Sequence, residues 1–95
     1  MKKYEVVLIF APNMEEESRN TLVERFKGIV ETNGTVDNVD VWGSRKLAYL
    51  INDYQEGYYV LFNITSGADV VDEIDRIAKI TDDVIRHMII REEEK

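Results

Sequence analysis

The chain contains no cysteine, and only one histidine, one proline and one tryptophan among its 95 residues. Without cysteine there is no disulfide framework, no thiolate metal site and no cysteine nucleophile, which fits a reducing compartment. A single imidazole offers no ligand set for a transition metal. No apolar run is long enough to span a bilayer. Lys2 and Lys3 open the chain as they would a signal peptide. The apolar run behind them carries Glu5, however, and meets Pro12 and an acidic stretch where a small-residue cleavage site would be needed. A cytoplasmic location is therefore expected. Gly28, Gly34, Gly43, Gly57 and Gly67 are dispersed, so no glycine-rich loop can cradle a phosphate. Basic charge is scarce as well: 12 Lys and Arg against 19 Asp and Glu give a net charge of −7. Such a chain repels phosphate at long range and suits a basic protein partner.

What is present suffices for one domain with one core, since 44% of the residues are hydrophobic. The charges are unevenly placed. Between Ala11 and Trp42 seven acids stand against Arg19, Arg25 and Lys27, and between Asp69 and Asp83 six acids stand against Arg76 and Lys79. Apart from Lys95 behind three glutamates, the other bases lie in acid-poor patches: Lys2 and Lys3, Arg45 and Lys46, and Arg86 through Arg91.

Those patches coincide with structural type. Tyr4, Val6, Leu8 and Phe10 alternate with Glu5, Val7 and Ile9 in a first strand, which Pro12 and Asn13 end. Asn13 with Glu16 predicts a helix N-cap, and three acids suit the positive end of the helix that follows. Leu22, Phe26, Ile29 and Val30 recur at helical spacing, with Asn33-Gly34 as a left-handed stop. A long second strand runs from Val36 to Ile51, and Gly43 within it predicts a bulge or bend. Asn52 to Gly57 reads as a turn, and Tyr58 to Ile64 as a third strand in hairpin with the second. Ser66 with Asp69 predicts the start of a second helix, whose buried stripe is Val71, Ile74, Ile77 and Ala78. Thr81-Asp82-Asp83 ends it, and Val84 to Ile90 forms the last strand.

This order predicts an α+β, ferredoxin-like βαββαβ domain over residues 1–91, with a short charged tail over residues 92–95. Its four-stranded antiparallel sheet carries both helices on one face. On the other face Val7, Ile9, Tyr59 and Leu61 form a candidate partner-binding patch. Scattered exposed apolar residues are the alternative, since every protein surface has some.

Catalysis finds little support. His87 among Arg86, Met88 and Ile89 reads as an edge-strand or core histidine, and Asp82-Asp83 as turn chemistry. Gly57-Tyr58-Tyr59-Val60-Leu61-Phe62 sits where an RNA-recognition motif carries base-stacking aromatics. Glu56 replaces the basic residue such a motif needs, so an ordinary aromatic strand is the better reading.

The sharper pattern is Gly43-Ser44-Arg45-Lys46-Leu47-Ala48-Tyr49-Leu50-Ile51-Asn52. It resembles the signature of the family of the sixth protein of the bacterial small ribosomal subunit, which has a glycine, a basic pair, Leu-Ala-Tyr, one residue and isoleucine. The resemblance extends through Tyr4-Glu5, Pro12-Asn13, Trp42-Gly43, Gly57-Tyr58-Tyr59 and Val84-Ile85-Arg86-His87-Met88. Leu50 departs from it, at a position where many relatives carry proline. The resemblance implies a non-enzymatic, ribosome-associated protein without a cofactor. It would bind small-subunit ribosomal RNA together with a basic partner, the eighteenth small-subunit protein. A basic partner would also resolve the charge conflict, since it could supply most phosphate contacts. The cations outside the helices, Lys2, Lys3, Arg45, Lys46, Arg86 and Arg91, are the candidate RNA-binding residues. They are expected at separate points because the second and fourth strands should be opposite edges. A stand-alone regulatory or dimerisation domain of the same fold is the rival reading.

Overall fold

The computed structural model describes residues 1–51 and 53–92. Six elements follow one another: β1 (Lys2–Phe10), α1 (Glu16–Glu31), β2 (Gly34–Ile51), β3 (Tyr54–Ser66), α2 (Ala68–Ile80) and β4 (Val84–Arg91). The sheet order is β2-β3-β1-β4, with every neighbouring pair antiparallel. This is the expected βαββαβ arrangement. The expected charged tail lies outside the described residues apart from Glu92, whose amide donates to the carbonyl of Lys3. Asn52, where the expected turn begins, lies outside them too.

The alternation of β1 and β3 decides where the core forms. Val6, Leu8 and Phe10 pair with Phe62, Val60 and Tyr58, and paired residues share a face. That face packs on Leu22, Phe26 and Val30 of α1 and on Val70, Ile74, Ile77 and Ala78 of α2. The stripe of α2 runs through Val70; Val71, the expected member, is only half-buried. A helix stripe is wide enough that a pair of adjacent valines does not reveal from sequence which one faces the sheet.

Three expected boundary signals are overturned. Asn13 does not cap α1: Glu15 occupies the N-cap in extended conformation, with no side-chain cap bond. The Arg19 guanidinium instead donates to the carbonyl of Met14 at 2.8 Å. Gly34 is not a left-handed stop, because α1 ends at Thr32 in right-handed conformation and Gly34 already begins β2. Glycine is needed there for close approach, since a Cβ would collide with the Thr65 carbonyl and Ser66. Ser66 does not open α2. It ends β3 fully buried, its hydroxyl donates to the carbonyl of Gly67, and Gly67 takes the N-cap. Asn33 donates to Asp69 at 2.9 Å, tying the end of α1 to the start of α2.

The β2–β3 hairpin is longer and tighter than expected. Ile51 pairs with Tyr54, so β3 resumes three residues after Ile51 and includes Gly57. Gly57 is therefore a strand residue, and a Cβ on it would strike Ile9. The bend predicted at Gly43 is present: the ladder shifts register between Val41 and Gly43, and Gly43 has φ +78°. Only glycine enters that region readily.

Candidate interface on the helix-free face

Cross-strand rows define the helix-free face. Asp40, Leu61, Val7 and Met88 form one row, and Asn38, Asn63, Glu5 and Ile90 the next. A third row contains Gly43, Tyr59, Ile9 and Arg86, with Trp42 bulged beside Gly43. All four candidate partner residues therefore share this face, but their exposure is not as expected. Val7 is 8% and Ile9 3% exposed, whereas Tyr59 and Leu61 are half-buried.

For Ile9 the cause is the far end of β2. Its ladder with β3 breaks between Lys46 and Ile51. Leu47, Ile51, Tyr54 and Tyr59 then pack against a small second core of Ile9, Ala11 and Ile85. Tyr49 reaches further, and its hydroxyl accepts a hydrogen bond from the Arg86 guanidinium. A cleft of about 140 Å³ is left between this arm and the sheet, lined by Ile9, Tyr59, Met88 and the arm itself. An apolar remainder stays in solvent: Trp42, Met88 and Ile90 are 42%, 37% and 50% exposed.

The six candidate cations fall into two groups. Lys2 and Lys3 begin β1, and Arg91 pairs with Tyr4, so these three share one end of the sheet. Arg86 pairs with Ile9, six residues along β1 from Lys3, which places it about 20 Å away at strand rise. β2 and β4 are opposite edges of the sheet, as expected, and the arm reaches across to β4 through the contact between Tyr49 and Arg86. Arg45 stands opposite Gly57, while Lys46 stands opposite an acid, Glu56.

Eight of the 19 acids lie on α1 and α2, while Glu5, Asp37, Asp40 and Glu56 lie on strands. Asp75 on α2 accepts from Lys79 at 2.8 Å and from His87 on β4 at 2.7 Å. Those bonds, the Lys79 one foremost, hold its carboxyl below the usual aspartate value. His87 thus faces α2 with its side chain 18% exposed, clamping helix to strand rather than entering a reactive site. Among the described residues no group of three or more His, Asp or Glu is placed to hold a metal ion. No described helix is long and apolar enough to cross a membrane.

Sequence reasoning missed Trp42 and Tyr49 as parts of this face. Trp42 stacks on Tyr59 with centroids 6.1 Å apart and planes 15° apart, and its indole N–H donates to Asp40 at 2.9 Å. The clue was Gly43 directly after Trp42: a bulge re-aims the residues beside it.

Known proteins resemble this chain closely. The family model described as Ribosomal protein S6 matches residues 3–91. The small ribosomal subunit protein bS6 of Alkaliphilus oremlandii (strain OhILAs) is 58% identical over 91 residues, covering 96% of this chain and 97% of that protein. The crystal structure of 30S ribosomal protein S6 from Thermotoga maritima superposes with a TM-score of 0.87 at 37% identity, covering 96% of this chain and 87% of that one. A protein of Arabidopsis thaliana shares the fold alone, with a TM-score of 0.58 at 14% identity over 100% of this chain and 96% of its own.

Proposed function

This chain belongs to the ribosomal protein S6 family, a small-subunit ribosomal protein and not an enzyme, and from that premise we propose that it binds small-subunit ribosomal RNA jointly with the eighteenth small-subunit protein. The observation that carries the reading is the segregation of charge. The helices carry eight acids against five bases, while the strands carry six cations against four acids, the cations in two groups at the two ends of the sheet. Between those groups lies the half-exposed apolar face with Leu61 near its centre. A basic protein seated there would offset the −7 charge and bring its own phosphate contacts. Lys2, Lys3 and Arg91 at one end, and Arg45, Lys46 and Arg86 at the other, would then meet RNA phosphates at separate points. Such contacts position a protein without reading base sequence.

The test is the affinity of the protein–partner pair for its ribosomal RNA fragment across a salt series. Arg45→Ala/Lys46→Ala is expected to weaken binding uniformly across RNA sequences and to flatten the log–log salt dependence by about one to two units. Arg45 should carry the larger share, because Glu56 stands across from Lys46. An unchanged slope would assign both residues to the strand edge or the protein interface.

A further inference from the structure

Trp42 is the only tryptophan of the chain and is 42% exposed, although it stacks on Tyr59. Its indole N–H is spent on the Oδ2 of Asp40, which fixes that carboxylate at the edge of the ring and leaves its second oxygen available. Asp40 lies opposite Leu61, so this aromatic–carboxylate unit borders the apolar centre of the face. Its parts are those that recognise a planar cation. An indole face attracts a guanidinium through the ring quadrupole, and a carboxylate at the rim accepts its N–H groups. Lysine suits such a site less well, because its ammonium neither stacks nor presents a planar fork. An RNA base could stack on the indole, but its phosphates would approach the Asp40 carboxylate and be repelled. Arg45, the nearest cation along β2, stands two positions beyond Gly43, so the carboxylate is the charge closest to the ring.

We propose that Trp42, Tyr59 and Asp40 form a receiving site for an arginine side chain of a basic protein partner. The site deepens the reading of this face as a protein interface and rests on it. It makes arginine content at one point of the partner, rather than overall basicity, the feature that this edge of the face selects.

The single indole N–H resonance of Trp42 reports on the site directly. Titration of the folded protein with a blocked hexa-arginine peptide should shift that resonance saturably, and hexa-lysine should bind several-fold more weakly. Asp40→Asn keeps an acceptor for the indole and removes only the charge, so it should abolish the preference for arginine. Glu31→Gln, an equal change of charge at the exposed end of α1, should preserve it. Equal binding of the two peptides, or equal behaviour of the two variants, would overturn the proposal. So would a shift produced by single-stranded oligouridylate in place of the arginine peptide. With the ribosomal partner itself, Asp40→Asn should lower affinity by about tenfold, the scale of one charge-assisted contact. If Leu61→Asp weakens the pair and Asp40→Asn does not, the arginine site fails while the interface stands. If Leu61→Asp changes nothing, the interface reading itself fails.

Discussion

Leu8→Ala is expected to destabilise the protein by about 2–5 kcal/mol, the range for truncating an aliphatic side chain in a packed core. Leu8 is completely buried at the middle of β1, pairing with Val60 on one side and His87 on the other. Its side chain lies in the layer that also holds Phe26 of α1 and Ile74 of α2. Both helices close over that layer, so neighbours have little freedom to fill the space left behind, and part of the cost is the cavity itself. The measurement is a urea titration followed by circular dichroism. A loss below about 0.5 kcal/mol, the scale of a surface substitution, would mean that the face of β1 is inverted.

Leu61→Asp is expected to cost the proposed heterodimer about 2–5 kcal/mol of binding free energy, because it leaves a charge without a partner in a desolvated patch. Leu61 pairs with Val7 on one side and with Asp40 on the other, near the centre of the helix-free face. An aspartate there also stands opposite an existing acid, which lowers the stability of the free chain slightly. Leu61→Asn removes the apolar contact without that repulsion and separates the two effects. Calorimetry showing unchanged affinity for both folded variants would remove this face from the interface.

The architecture was legible because the alternation of β1 and β3 and the helical recurrence of Leu22, Phe26 and Val30 are long-range signals repeated along each element. The boundary signals were not. Asn13 and Ser66 have the side chains that cap helices, but capping competes with turn formation and burial, which a local motif does not report. Ser66 is withdrawn into the core and Gly67 takes its place. Gly34 was correctly noticed for a different reason from the one that operates, close approach to β3 instead of a left-handed turn. For the candidate interface, the parity of Val7, Ile9, Tyr59 and Leu61 followed from period-two reading, whereas their exposure did not. That depends on the arm from Leu47 to Ile51 leaving β3 and covering Ile9, a tertiary event with no local signature beyond the apolar side chains of the arm. The contact between Tyr49 and Arg86 joins residues 37 apart in sequence, beyond the reach of any periodic pattern.

The most direct test of the central claim is sedimentation of the tagged protein, expressed in a bacterial host, through a sucrose gradient at moderate salt. The protein is expected to travel with the small ribosomal subunit at about one copy per particle, and to leave it as salt screens the phosphate contacts. A protein that stayed at the top of the gradient at every salt concentration, while remaining folded, would contradict the account and favour a stand-alone domain of the same fold.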